Sequence, residues 1–211
     1  MSYKIKAILC LSMILPCFLL GSCGSDTQPA ASSDADTQPA VSSDAGSSEE
    51  DKTVHLKKAY ELLCDAAVTM ENISDVIETA WHYAIYEDNP NVSELAYKTG
   101  LSEQDLINAG ASDYNLDDLF TGVDCCMSVM RTDDSYYKSA KDNIEEAKKE
   151  IRSATDDLNH YEDMRNFYTT SLSYYEWLEK ATGSYKEATA LIDDYETKLR
   201  EFKNDMDLDF G

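Results

Sequence analysis

Apolar residues recur at alternating three- and four-residue steps over much of this chain. Leu56, Ala59, Leu63, Ala66, Met70, Ile73, Ile77, Ala80 and Ala84 follow one another without a break. That spacing places them on one stripe of a helix packed against neighbours. Neither Gly nor Pro occurs from Lys52 to Glu87, and Asp88-Asn89-Pro90 supplies the stop. Tyr60, Ala67 and Trp81 widen the stripe on its flank. A shorter, broken stretch follows. Asn91 to Lys98 makes about two turns before Gly100, and Ser102 with Asp105 resembles a capping box for a helix ending near Gly110. Leu116, Leu119, Val123, Cys126 and Met130 then repeat at helical spacing.

Two further stripes complete the body. Tyr137, Ala140, Ile144, Ala147, Ile151, Ala154, Leu158 and Tyr161 form one; Tyr185, Ala188, Ile192, Tyr195, Leu199, Phe202 and Met206 form the other. No Gly or Pro interrupts Arg131 to Thr182. A compact bundle needs antiparallel neighbours, so a reversal is expected near Asp157 to Tyr161. Ser184 with Glu187 makes a second capping box, and Gly183 before it is either a stop or a kink. The reading is all-α: an elongated antiparallel three-helix bundle with short connecting helices over residues 51–211.

The N-terminus follows another rule. Lys4 and Lys6 precede an almost wholly apolar run from Ala7 to Leu20. About 20 apolar residues are needed to span a bilayer, so this run suits a secretory leader better than a membrane helix. Leu20-Gly21-Ser22-Cys23 resembles the lipobox of bacterial lipoproteins. The resemblance implies a leader over residues 1–22, diacylglycerol on the Cys23 thiol, and attachment to the outer face of a membrane. Two acyl chains give stable anchoring where one does not. Residues 23–50 then read as a tether. Asp26 to Ala35 is "DTQPAASSDA" and Asp36 to Ala45 is "DTQPAVSSDA", a tandem decapeptide with one substitution. Its Ser, Ala, Asp, Thr, Gln and Pro cannot bury enough apolar surface to offset the entropy of ordering.

Three stretches of the body, "VIETAWHYAIYED", "LNHYEDMRNFYTT" and "EKATGSYKEA", resemble uncharacterised helical surface lipoproteins of Gram-positive bacteria. Trp81 and Ile85 match a Trp and Ile late in that group's first helix. Gly183 and Ser184 match a break in its last segment. Asn159-His160 stand where that group has a proline-containing turn. The resemblance implies an antiparallel three-helix bundle without a known activity.

Charge narrows the partners. The 211 residues carry a formal charge of −23, which disfavours nucleic acid and anionic lipid. No enzyme is expected, because no base–nucleophile pair or metal set converges. His55, His82 and His160 sit in no Glu-x-x-His or His-Glu-x-x-His arrangement, and Glu78 with His82 reads as a surface pair one turn apart. Asp205, Asp207 and Asp209 alternate like the start of a calcium loop, but the glutamate that would complete it is absent. No metal or cofactor is expected. Cys64 and Cys126 could pair in an oxidising compartment; small buried hydrophobes are the alternative. Trp81, Phe167, Tyr174 and Trp177 are candidates for an aromatic contact surface, since Tyr161, Tyr168 and Tyr175 already supply one aromatic face beside them. The function expected is that of a lipid-anchored surface interaction or structural module, with a protein or a wall glycan as partner. The second reading is a small-ligand or peptide-binding lipoprotein, whose mark would be a deep apolar cavity at Trp81.

Overall fold

The computed structural model describes residues 49–116, 118, 120–154 and 159–210, with side chains from residue 53. The chain divides into two units, Met1–Asp44 and Ala45–Gly211, and every described residue belongs to the second. The leader, Cys23 and nearly all of the tether lie outside the described residues, as do Leu119 and Leu158 of the apolar stripes.

The described residues form helices and no strands. In chain order these are α1 (Glu49–Tyr86), α2 (Val92–Thr99), α3 (Glu103–Asn108), α4 (Thr121–Thr132), α5 (Tyr137–Ser153), α6 (Tyr161–Leu178) and α7 (Tyr185–Phe210). The stripe of α1 faces the core: Leu56 through Ala80 are all buried, and Ala84 is half-buried. Glu49 and Glu50 extend the helix two residues ahead of the expected boundary at 51. At about 1.5 Å per residue its 38 residues span roughly 57 Å.

The helix ends follow local chemistry. The Asn91 side chain caps α2 by accepting the Glu94 N–H at 2.9 Å, and Gly100 closes it in the left-handed region at φ 72°. Ser102 accepts the Asp105 N–H at the start of α3. Before α7, the Ser184 hydroxyl accepts the Glu187 N–H at 3.3 Å, and the Glu187 carboxylate accepts the Ser184 N–H at 3.1 Å. The starts of α3 and α7 therefore carry the Ser caps their sequences announce.

Side-chain pairs give the helix directions. His55 meets Glu150, while Asn72 and Val76 share a groove with Ser135 and Tyr136, so α5 runs antiparallel to α1. Tyr137 packs on Tyr175 and donates to the Leu178 carbonyl, while Lys148 covers Tyr168; α6 opposes α5. The chain thus reverses between Ser153 and Tyr161, with residues 155–158 outside the described set. Phe167 stacks on Phe202, Tyr174 on Tyr195, and His160 packs edge-on against Phe210. Those pairs make α7 antiparallel to α6.

Gly183, at φ 116°, is consequently a stop with a reversal, not a kink. This revises the expected count of three long helices. Four helices of seventeen residues or more are described, because the segment after residue 161 folds into a hairpin. α1 packs against α4, α5, α6 and α7, and α2 joins it at its C-terminal end. Ala59, Ala66 and Ala80 on α1, with Ala140 and Ala147 on α5, are fully buried. Such small side chains let two backbones approach closely.

Candidate functional site

The aromatic residues singled out in the sequence do not form a surface. Trp81, Phe167 and Tyr174 are fully buried, Tyr175 is buried and Trp177 is half-buried. The reason lies in the extra helix. A three-helix seam covers one face of α6, whereas here α5, α1 and α7 all pack on it; Phe167, Tyr174 and Tyr175 are covered, while Tyr161, Tyr168 and Trp177 stay half-buried. Trp81 is fully buried and lines none of four grooves found among the described residues.

The cysteines are likewise accounted for by packing. Cys64, Cys125 and Cys126 are free thiols, so no disulfide joins Cys64 to Cys126. Cys64 lies on the flank of α1 near Tyr60, Lys203 and Asp207. Cys125 donates weakly to the Ala109 carbonyl at 3.5 Å. Burial raises the pKa of all three thiols and pushes that of Cys126 up to about 12. Such thiols are poor nucleophiles at neutral pH.

Three polar clusters tie α1 to its neighbours. Glu150, with one-tenth of its side chain exposed, takes His55 Nδ1 at 2.6 Å and the Lys58 ammonium. The hydrogen bond from Lys58, then that from His55, holds its carboxyl below the ordinary range. Tyr60 donates to Asp207, and burial, then that bond, raises its hydroxyl well above the usual phenol range. Ser74 and Tyr174 both donate to Glu196 Oε1, at 2.9 and 3.1 Å. Asp209 accepts His160 Nε2 at 2.8 Å. Asp207 and Asp209 are thus occupied in α7, where the alternating aspartates lie on a helix and not in a loop. Among the described residues no three His, Cys, Asp or Glu side chains are grouped to hold a metal ion.

Two exposed rings, His82 and Tyr86, meet the half-buried Tyr185 where the C-terminal end of α1 reaches the start of α7. His82 lies 4.6 Å from the Tyr86 ring and 6.3 Å from Tyr185; Tyr86 and Tyr185 meet edge-on at 6.5 Å. Tyr86 is 61% exposed and Ile85 41%. Beside them runs a groove of about 320 Å³ lined by Glu78, Thr79, His82, Tyr83, Lys98 and Tyr185. Its floor is rigid. The Tyr83 hydroxyl accepts the Asn91 N–H at 2.8 Å, and Asp113 accepts the Val92 N–H at 2.8 Å. Lys98 bridges Glu87 at 2.8 Å and Glu94 at 3.5 Å. Desolvation, then Asp193, Glu196 and Asp75, raises the pKa of Glu78.

Glu78 and His82, expected as a surface pair, both line this groove beside Tyr83, Lys98 and Tyr185. Its signal was present in the sequence. His82 and Tyr86 fall two positions after the core residues Ala80 and Ala84, on the opposite side of the helix. Tyr185 could not be joined to them without the direction of α7. The arrangement offers flat rings, hydroxyl groups and one cation at a solvent-facing patch. That chemistry suits recognition by stacking and hydrogen bonding. In comparisons with family models, with curated proteins and with solved structures, the chain finds no match.

Proposed function

We propose that this chain is an extracytoplasmic lipoprotein whose helical domain serves as a surface interaction or structural module. Diacylglycerol on Cys23 would hold it to the membrane, and residues 23–50 would let the domain stand off from the headgroups. The ordered succession of Lys4, Lys6, the apolar run and Leu20-Gly21-Ser22-Cys23 supports the anchor. No helix of the described residues is long and apolar enough to cross a membrane. The antiparallel bundle would present its contact face at the end of α1 away from the tether.

One observation carries the interaction reading: the rings of His82 and Tyr86 stand exposed and meet a half-buried Tyr185, while Trp81 beside them is fully buried. A ligand-binding lipoprotein would instead need an apolar cavity at Trp81. The partner that fits the patch is a protein or a wall glycan, since both offer surfaces on which tyrosine rings stack.

Two measurements test this. Cys23→Ser should move the protein from the membrane fraction to the soluble fraction, and mass spectrometry of the native chain should find a glyceride on Cys23. A variant retained by membranes, or a native chain without glyceride, would overturn the anchor. A photo-crosslinking residue at position 86 should yield discrete adducts on intact cells, whereas one at position 145 on α5 should not. Equal adducts from both positions would end the case for a contact face.

A further inference from the structure

A second groove differs in charge from the rest of the molecule. It lies between the C-terminal half of α5 and the N-terminal half of α6 and measures about 190 Å³. Lys148, Ile151 and Arg152 face Tyr161, Arg165 and Tyr168 across it. The chain has 41 acidic and 18 basic residues, yet three cations meet here and no carboxylate among the described residues lines the groove. Three other grooves among the described residues carry Asp75, Asp105 or Glu78 in their walls.

Lys148 holds its ammonium 5.9 Å above the Tyr168 ring, and neither it nor Arg152 has a carboxylate partner among the described residues. Asp156 and Asp157 follow in the sequence, outside the described set. Arg165 contacts Glu162 at 2.9 Å through Nη1, in an exposed pair. Exposed pairs of this kind contribute little, because water and salt screen them, so a better anion can displace Glu162.

We propose that this groove binds a phosphate-bearing small anion. Two guanidinium forks match phosphate oxygens in a bidentate manner, and the lysine adds a point charge. Tyr161 and Tyr168 supply hydroxyl donors and, with Ile151, an apolar wall. The volume lies below the roughly 300–1,000 Å³ of sites for drug-sized ligands, which favours a phosphate ester with few further atoms. The net charge of −23 repels an anion at long range, but screening over about 8 Å at physiological salt leaves the nearest cations in control. The ester could be a free metabolite or a lipid headgroup. The groove flanks the end of the domain where the chain enters α1, since His55 and Lys58 touch Glu150 on the same stretch of α5.

The test follows arginine modification by phenylglyoxal, read at Arg152 by mass spectrometry, in the full chain on phosphatidylcholine vesicles. Added glycerol 1-phosphate should slow modification with a saturable, millimolar or tighter dependence. Arg165→Gln should weaken that protection roughly tenfold, as expected for losing a charge-assisted hydrogen bond. Lys186→Gln, which removes the same charge from α7, should leave it unchanged. If phosphatidylglycerol in the vesicles protects without added ester, the headgroup is the source; if soluble ester alone protects, a free ester is. Absence of protection by either, or equal weakening by Arg165→Gln and Lys186→Gln, overturns the proposal. A chain that fails to associate with the vesicles argues against the lipid anchor and leaves the soluble-ester arm to decide the groove.

Discussion

Glu150 and Glu78 are both carboxylates at helix interfaces, yet their surroundings act in opposite directions. At Glu150 hydrogen bonds from Lys58 and His55 favour the ionised form. At Glu78 desolvation and the nearby Asp193, Glu196 and Asp75 disfavour it. Glu71 behaves like Glu78, with desolvation again the largest cause and Glu196 next. The linkage signs differ accordingly. Glu150 stabilises the fold above the ordinary carboxylate range, and that contribution is lost as pH falls through its lowered value. Glu78 destabilises the ionised fold at neutral pH, and the penalty is relieved as pH falls through its raised value. Urea unfolding at pH 7 and pH 3 should therefore show Glu150→Gln less stable than the parent at pH 7, with most of the difference gone at pH 3. Glu78→Gln should be more stable than the parent at pH 7 and equal to it at pH 3. A loss of stability in Glu78→Gln at pH 7 would contradict the desolvated, acid-rich site.

At the scale of elements, the turn at Gly183 decides how many helices the bundle has. Its φ of 116° lies in a region that residues with a Cβ rarely adopt. A Cβ built there would meet its nearest atom, a Glu187 carboxylate oxygen, at 3.5 Å. Space is adequate, so the cost of Gly183→Ala is conformational, about 1–2 kcal/mol. Urea denaturation should show that loss with an unchanged slope, since the surface exposed on unfolding stays the same. The same turn explains what the sequence did and did not convey. Three-and-four spacing located α1, α5 and α7, because one buried stripe repeats once per turn along each. Capping residues Ser102 and Ser184 marked helix starts through bonds confined to a few residues. The hairpin of α6 and α7 depends on contacts such as Tyr174 with Tyr195, 21 positions apart, which no local pattern encodes. Phe167 and Tyr174 could be assigned to a surface or to the core only once α7 was known to fold back over them. The outward side of α1 at His82 and Tyr86 was legible from the stripe, but Tyr185, which reaches them from α7, was not, for the same reason.

Across the described domain, buried side chains from α1 through α7 join in one apolar cluster that includes Leu95 of α2, Leu106 of α3 and Cys126 of α4. The short helices α2, α3 and α4 are thus continuous with the long ones, and the domain should unfold as one cooperative unit. The thiols report on this directly. Cys64 is half-buried at a helix flank, whereas Cys125 and Cys126 are buried in α4. Labelling of Cys64 needs a local fluctuation that exposes little surface, so its rate should depend weakly on urea. Labelling of Cys125 and Cys126 needs α4 to leave α1, which breaks the shared core. Measured by mass spectrometry at increasing urea below the transition, their labelling free energies should fall with the same slope as the global transition seen by circular dichroism, because slope scales with exposed surface. A markedly shallower slope for Cys125 and Cys126 would show α2 to α4 opening apart from the long helices. The floor beneath Tyr83, Lys98 and the exposed aromatic patch would then belong to a separately mobile part of the domain.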